Sequence, residues 1–399
     1  MLYAGARRFD PDRARFGPER ATEALAARQR VPSSDLGGSL VWSAPARGAL
    51  RLTAGGDLRR VAGAARETLF PATAAPDAAV AREADGSQLL GGVFAEGGAA
   101  VAPGLELSAA LRVDLWRNGE ATGLRRAAGG GEDRTRYAPR SDAQVSPRVA
   151  LRWRPGQGPL ALRASAYRAF RAPTLNELYR TFQVGTIVTA PDPSLRAETL
   201  LGAEAGPELA VRGGALRLRV TGFWSVLRDP ITVVTLDAPL PDGATRRRAN
   251  LGAARIRGLE AAAAWAPLPW LEARAAWTFV DARVASAPGH PELSGRALPQ
   301  DPRHRAAVSL AAWRAGLGRL GAELRAVSRQ YEDDRNALPM GGYVLLDLAA
   351  SVPLRGGLEA FAAAENVLDR RYLVGRAGVD TIGAPRMVRA GLRVRMGGE

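Results

Sequence analysis

Catalysis draws on nucleophiles, metal ligands and paired acids, and this chain of 399 residues offers few of them. It has no cysteine, which excludes disulfides, thiolate metal sites and a cysteine nucleophile. Its two histidines, His290 and His304, both sit in a Pro-rich stretch, so a histidine-based metal cluster is a poor reading. No Lys follows a Gly-rich loop, Gly156-Gln157-Gly158 is too short for a dinucleotide fingerprint, and no Gly-x-Ser-x-Gly elbow occurs. The acid pairs Asp333-Asp334 and Glu132-Asp133 fall in polar loops, where adjacent carboxylates are expected simply to face water. No catalytic residue, cofactor or metal site is expected, and the chain does not read as an enzyme.

Binding is the better prospect. Basic residues number 55 against 40 acidic ones, a net charge of +15, and the cations are arginines. A guanidinium is always charged and offers a rigid fork of donors, so anionic partners suit such a chain. Arg246, Arg247 and Arg248 form the densest basic cluster, at a loop-to-strand junction, and Tyr331 sits in another polar loop. An anionic iron chelate or a lipopolysaccharide phosphate suits the cluster, and an aromatic ring can stack on a catecholate-like group. A plain solvated loop fits the same residues.

The elements that must position these residues alternate with a period of two. Leu105, Leu107, Ala109, Leu111, Val113 and Leu115 are apolar, with Glu106, Ser108, Arg112 and Asp114 between them. Leu216 to Ser225 and Val388 to Met396 repeat the pattern. Each is a strand with one apolar face. A soluble β-sandwich also alternates, so the connections decide. Short turns at 44–48, 102–104, 155–159, 266–269, 315–318 and 353–356 alternate with long polar loops at 63–86, 118–142, 171–197, 229–248, 284–302, 331–341 and 368–384. That asymmetry belongs to outer-membrane barrels, and the intervening segments of about 10–14 residues suit the 9–11 a tilted strand needs to cross hydrocarbon. The fold class is therefore all-β, a transmembrane antiparallel β-barrel, with about 16–17 strands of the roughly 22 in plugged transporters. Charge on the lipid face costs roughly 2–4 kcal/mol near the midplane, so the Arg-bearing faces are expected to point into the lumen. Trp42, Trp116, Trp153, Trp265 and Trp270 fall near strand ends, where an interfacial aromatic girdle belongs.

Several sequence boxes resemble the C-terminal barrel of TonB-dependent outer-membrane receptors. Phe170-Arg171-Ala172-Pro173, with Glu177 after it, is answered by Asp192-Pro193-Ser194-Leu195-Arg196-Ala197-Glu198. Asn250 to Glu260, closing on Gly258-Leu259-Glu260, resembles an asparagine-led strand, and Leu293 to His304 a loop-to-strand box. Asn366-Val367-Leu368-Asp369, closing on Tyr372, resembles the box before the last loop, and Gly383 to Arg386 the start of the final strand. These residues read as architectural: the prolines fix φ at loop starts, Gly258 relieves crowding, and Asn366 and Asp369 suit turns.

The resemblance implies an outer-membrane barrel over 1–396 that imports a scarce ligand with energy supplied by TonB. The family also carries a signal peptide, a TonB-binding box and a plug; none can be placed here, so the chain is expected to be N-terminally truncated. No histidine lies between Thr174 and Pro191 and Asp192 replaces an Asn, which disfavours haem and leaves a ferric siderophore or cobalamin-like ligand. The expected partners are outer-membrane lipid and lipopolysaccharide, the ligand, and TonB through the plug, with no nucleic acid. The chain ends Met396-Gly397-Gly398-Glu399 where the family usually places an aromatic residue. An ungated porin-like channel for anions and a soluble β-rich binding protein remain as alternatives.

Overall fold

A computed structural model describes residues 1–17, 21–45, 50–70, 79–127, 129–185 and 187–394, the side chain of Arg212 aside. The turn expected at 44–48 and the end at Met396–Glu399 fall wholly or partly outside them. Among the described residues one antiparallel sheet dominates, built from nineteen strands in sixteen staves, three of which are interrupted once. Leu2–Phe9 and Asp12–Phe16 pair in succession with Glu23–Ser43, so they form one stave broken at Asp10-Pro11. Proline cannot donate to a ladder, which accounts for the break.

Each stave pairs with its neighbour in sequence, from this first one to Met387–Val394 at the far edge. No pairing joins the two edges among the described residues. The sheet nevertheless curls. The loop after Leu160–Arg171, in the middle of the sheet, carries Gln183 and Gly185. Arg13 of the first stave donates to the Gln183 carbonyl at 2.8 Å, while Gly185 lies against Ala377 to Val379, just before the last stave. A central loop meets both edge regions only on a sheet rolled toward a barrel.

The short turns stand at 103–104, 154–159, 269–270, 315–317 and 354–357, as the sequence implied. The long connections differ in two places. Strands run on to Leu69 and resume at Val80, leaving much less than 63–86 unpaired. The stretch 118–142 is largely a hairpin, Ala121–Arg126 against Glu132–Tyr137. Glu132 therefore lies in an exposed strand, 3.0 Å from the Arg126 Nε. Staves also exceed the expected 10–14 residues, reaching 23 in Val80–Ala102. Alternation continues past the length hydrocarbon requires, so pairing continues above the membrane.

The two faces have opposite chemistry. Leu107, Leu111, Leu115, Leu201, Leu320 and Leu392 are exposed on the outer face, with many other large apolar residues. Leaving each such side chain in water would forgo about 1.5–3 kcal/mol, which lipid restores. The inner face carries ion pairs: Arg112 to Asp57 and Asp114, both at 2.7 Å, Arg163 to Glu208 at 3.2 Å, and Arg325 to Asp347. A lumenal cavity of about 460 Å³ is lined by Arg51, Glu96, Glu106, Arg148, Arg163 and Glu204. The rule that arginines face inward holds for the lower wall and fails at the outer rim. Arg117 alternates with Leu115 and pairs across from Leu89, and Arg255 and Arg257 pair across from Val226 and exposed Trp224. The cost of charge falls to roughly 0–1 kcal/mol near an interface, so the rim accommodates them. Trp42, Trp153, Trp265 and Trp270 are exposed as a girdle requires, but Trp116 is buried on the inner face, its parity opposite to Leu115.

Replacing Leu111 by Arg is expected to cost roughly 2–4 kcal/mol in phospholipid vesicles, while the same change at Ser108, on the lumen, costs under about 1 kcal/mol. Denaturant titration of both variants checks the difference.

Candidate functional site

The mouth on the long-loop side is built by two boxes folded onto each other. Thr174 caps the helix Leu175–Tyr179: its hydroxyl accepts from the Glu177 N–H, and the Glu177 carboxylate accepts from the Thr174 N–H at 2.8 Å. This is a reciprocal capping box. The same carboxylate takes Arg171 Nη1 at 2.9 Å, while Arg171 Nε reaches Glu198 at 2.6 Å. Glu198 turns its other oxygen to the Ile231 N–H. Arg171 thus clamps both ends of its own loop to the next. Pro173 is buried and its carbonyl accepts from Gln88 Nε2 at 2.9 Å. Beneath lie Leu178, Tyr179, Leu195 and Ala121, a buried apolar cluster.

Asp192 closes its own turn by accepting from the Ser194 N–H at 2.8 Å. Arg140 donates to the carbonyls of Pro193 and Leu195. The predicted basic cluster sits directly on this framework. Arg246–Asn250 pairs antiparallel with Ile231–Thr235 and parallel with Thr189 and Ala190, in a four-stranded loop sheet. Arg247 lies 3.5 Å from Asp192 and Arg248 lies 3.8 Å from Glu177, so two of the three arginines are tied to box carboxylates. Burial lowers the Arg248 pKa, with Glu177 opposing, and its Nε is buried without a hydrogen-bond partner. Burial pushes the Glu177 carboxyl up, but Arg171 and Thr174 outweigh it and hold it below 4.5.

Tyr331 is half-buried in the short hairpin Gln330–Tyr331 with Pro339–Met340, with the Arg329 guanidinium 5.2 Å from its ring centre. Its loop reaches the strand paired with the basic one through Asp334, one of the two acids expected to face water. Asp334 is buried and accepts from the Thr235 hydroxyl and N–H at 2.6 and 2.9 Å, and Thr235 pairs with Arg246. Asp333 is also buried, accepting from the N–H groups of Ala337 and Leu338. Their partners in the folded loops, one a hundred residues away, withdraw both from solvent.

The contacts continue around the mouth. Asn336 exchanges hydrogen bonds with Ala297, Gln300 reaches Glu332 at 3.2 Å, and Glu332 accepts from the Arg376 N–H at 3.1 Å. Arg376 precedes the stretch that touches Gly185. The circuit runs from 185 through 189, 246, 235, 334, 332 and 376 and returns to 185, a collar in which each loop holds the next.

The asparagine-led box lies in the wall, and the Asn366 and Gly383 boxes lie in the turns beside the last two staves. Gly258 lies under the Phe223 ring, and a Cβ there would meet the Phe279 carbonyl oxygen at 2.0 Å. Glu260, two residues on, faces the lumen opposite Thr278. Asn366 and Asp369 both take left-handed backbone; Asn366 bonds Arg370 and the Ala384 carbonyl, and Asp369 accepts from the Arg386 N–H. The Tyr372 ring packs 4.3 Å from Tyr343 and over Gly383.

A family model described as TonB dependent receptor-like, beta-barrel, matches residues 3–367. The chain belongs to this family. Its members are outer-membrane transporters rather than enzymes. Among solved structures, the chain is similar to the ferric yersiniabactin uptake receptor FyuA from Yersinia pestis at 14% identity and TM-score 0.74, covering 98% of this chain and 58% of that one. It is similar to the copper transporter OprC at 18% identity and TM-score 0.77, covering 98% and 61%. The siderophore receptor PiuA from Acinetobacter baumannii gives 15% identity and TM-score 0.66, covering 93% and 56%. The chain thus spans about three-fifths of these receptors. No curated protein matches it by sequence.

Because the folded pKa of Glu177 is depressed, its stabilisation of the loops is present above 4.5 and is lost as pH falls through the lower folded value. Once corrected for the intrinsic rate, amide exchange over 174–180 and 246–250 is expected to become faster as pH is lowered from 7 through the carboxylate range. Glu177→Gln is expected to show the faster exchange already at pH 7.

Proposed function

We propose that this chain forms the wall and outer collar of a receptor that imports a scarce ligand across the outer membrane, with energy from TonB acting through a plug outside this sequence. The collar is the observation that carries the reading: loops from five connections interlock over a lumen lined with charge. A simple diffusion pore has no use for such a device. The inner arginines are largely paired with carboxylates, which also weakens the case for an anion-selective pore.

A ferric siderophore is the ligand class we favour. PiuA is a siderophore receptor, FyuA a ferric yersiniabactin uptake receptor and OprC a copper transporter, so metal uptake recurs among the similar folds. Arg246 and Tyr331, set on strands of the same collar, would meet an anionic chelate by charge and by stacking. Arg247 and Arg248 serve it less directly, since both hold box carboxylates.

The test is retention of iron-55 as ferric catecholate, ferric hydroxamate and free citrate complexes by the chain refolded in detergent. One chelate is expected to bind, and Arg246→Ser with Tyr331→Ala is expected to weaken it about tenfold. Absence of binding to every chelate, together with steady large conductance in planar bilayers, would overturn the reading in favour of a pore.

A further inference from the structure

We infer that the inner wall above the membrane holds a small tetrahedral oxyanion, of the class of inorganic phosphate, among Arg13, Arg82, Arg125 and Arg180, where it fastens the loop 180–185 to the first staves. The site uses none of the residues proposed to meet the imported ligand and stands whatever that ligand is. Register brings the charges together. Gln29 pairs across from Glu67, Glu67 from Arg82 and Arg82 from Arg125, a row over four neighbouring strands. Glu67 shares parity with Asp57 on its own stave, and Asp57 meets Arg112 on the lumen, so the row faces inward. Arg13, from the first stave, donates to Glu67 and through its other terminal nitrogen to the Gln183 carbonyl at 2.8 Å. Arg180, on the same loop as Gln183, lies within electrostatic reach of Glu67 and Arg13 and rests 5.6 Å from the Phe182 ring centre.

Charge is in surplus there. Glu67 already serves Arg13 and, at 3.2 Å, Gln29, while Arg82, Arg125 and Arg180 make no ion pair among the described residues. Asp133 pairs across from Arg125 in the sheet but is exposed and bridges to no guanidinium among the described residues. Like charges directly opposite each other on paired strands repel, so Arg82 against Arg125 costs the sheet stability unless an anion lies between them. Arg13 Nε, Arg82 Nη1 and Arg125 Nε are all buried without a hydrogen-bond partner. Burial lowers the pKa of Arg82 and of Arg180, with Glu67 opposing at both and Asp242 at Arg82. Buried charge of one sign is expensive until it is paired and hydrogen-bonded.

The donors fix the class of anion. A guanidinium presents its N–H groups as a planar fork that matches two oxygens of a phosphate, a fit that chloride cannot make. The orphaned nitrogens are enclosed by protein, which favours a small free anion over a phosphate carried on a larger molecule. Height places the site in reach of solution. Arg82 lies near the loop-side end of Val80–Ala102, far from the short turn that follows Ala102. At about 3.3 Å per residue and a tilt of about 35–45°, the separation is roughly 47–54 Å, against an apolar band about 25 Å tall. An anion bound here joins the first stave, two further staves, the hairpin Ala121–Arg126 and the loop at Arg180, which the Arg13 bond to Gln183 alone holds to that stave among the described residues.

The probes are inorganic phosphate, glycerol phosphate and sodium chloride at matched ionic strength, titrated calorimetrically into the full chain refolded in detergent, with amide exchange followed over 121–126 and 180–185. Inorganic phosphate is expected to bind and to slow exchange in both segments, chloride to do neither, and glycerol phosphate to bind about tenfold more weakly. Arg82→Gln with Arg125→Gln, which leaves Arg13 on Glu67, is expected to weaken phosphate binding about tenfold and to remove the slowing. Arg125→Gln alone has no ion pair to lose, so it tests the site even where the double variant folds poorly, and is expected to weaken binding about threefold. Arg126→Gln, one residue on and on the opposite face, is expected to leave binding and exchange unchanged. Absence of phosphate binding, an equal effect of chloride, glycerol phosphate bound as tightly as the free anion, or binding that survives loss of Arg125 intact would overturn the inference.

Discussion

A strand crossing hydrocarbon has no water to satisfy its backbone, so the staves pair side by side along the sheet, all but the first and last on both sides among the described residues, and turn a continuous apolar face outward. The rest of the structure follows from that constraint. Period-two alternation sends Leu107, Leu111 and Leu115 to lipid and Arg112 and Asp114 to the lumen. Once inside, the charges meet across staves, which is why so many carboxylates that are distant in sequence end on an arginine. The same rule loosens with depth, and arginines 117, 255, 257 and 283, which break it, sit toward the loop side.

The loops answer a second demand. Long connections expose polar backbone and gain little from apolar burial, so they hold shape only by bonding one another. Arg171 secures Glu177 and Glu198, Glu177 receives Arg248, and Thr235 holds Asp334. Two small apolar clusters support the ring, one under the helix at 175–179 and one around Val234, Leu251, Val284 and Leu293. A collar made of such contacts is firm yet built from elements that lie apart in sequence.

The wall was legible from alternation and turn spacing, because both are local. The boxes were legible as architecture: Gly258 under Phe223, and Asn366 in left-handed backbone, act as their residue types suggest. Long-range partners were not. Asp334 reads as solvated because nothing adjacent marks it for burial; Thr235, about a hundred residues earlier, does so only after folding. Arg248 looked free for ligand for the same reason, its partner Glu177 lying in another loop. Trp116 could have been assigned to the lumen, since its parity with Asp114 rather than Leu115 was already in the sequence. Arg257 and Asp281 gave no sign of sharing the lipid face, because each alternation looks ordinary until register joins them.

The most direct test of the account is the environment of successive positions along Leu105–Asn118 in a bilayer. Nitroxide labels placed singly at 107 to 115 report their accessibility to oxygen dissolved in lipid and to a polar nickel chelate. The account predicts a period of two, with odd positions open to oxygen and shielded from the chelate and even positions the reverse. Odd positions open to the chelate, or no alternation at all, would contradict a lipid-facing wall and the function built upon it.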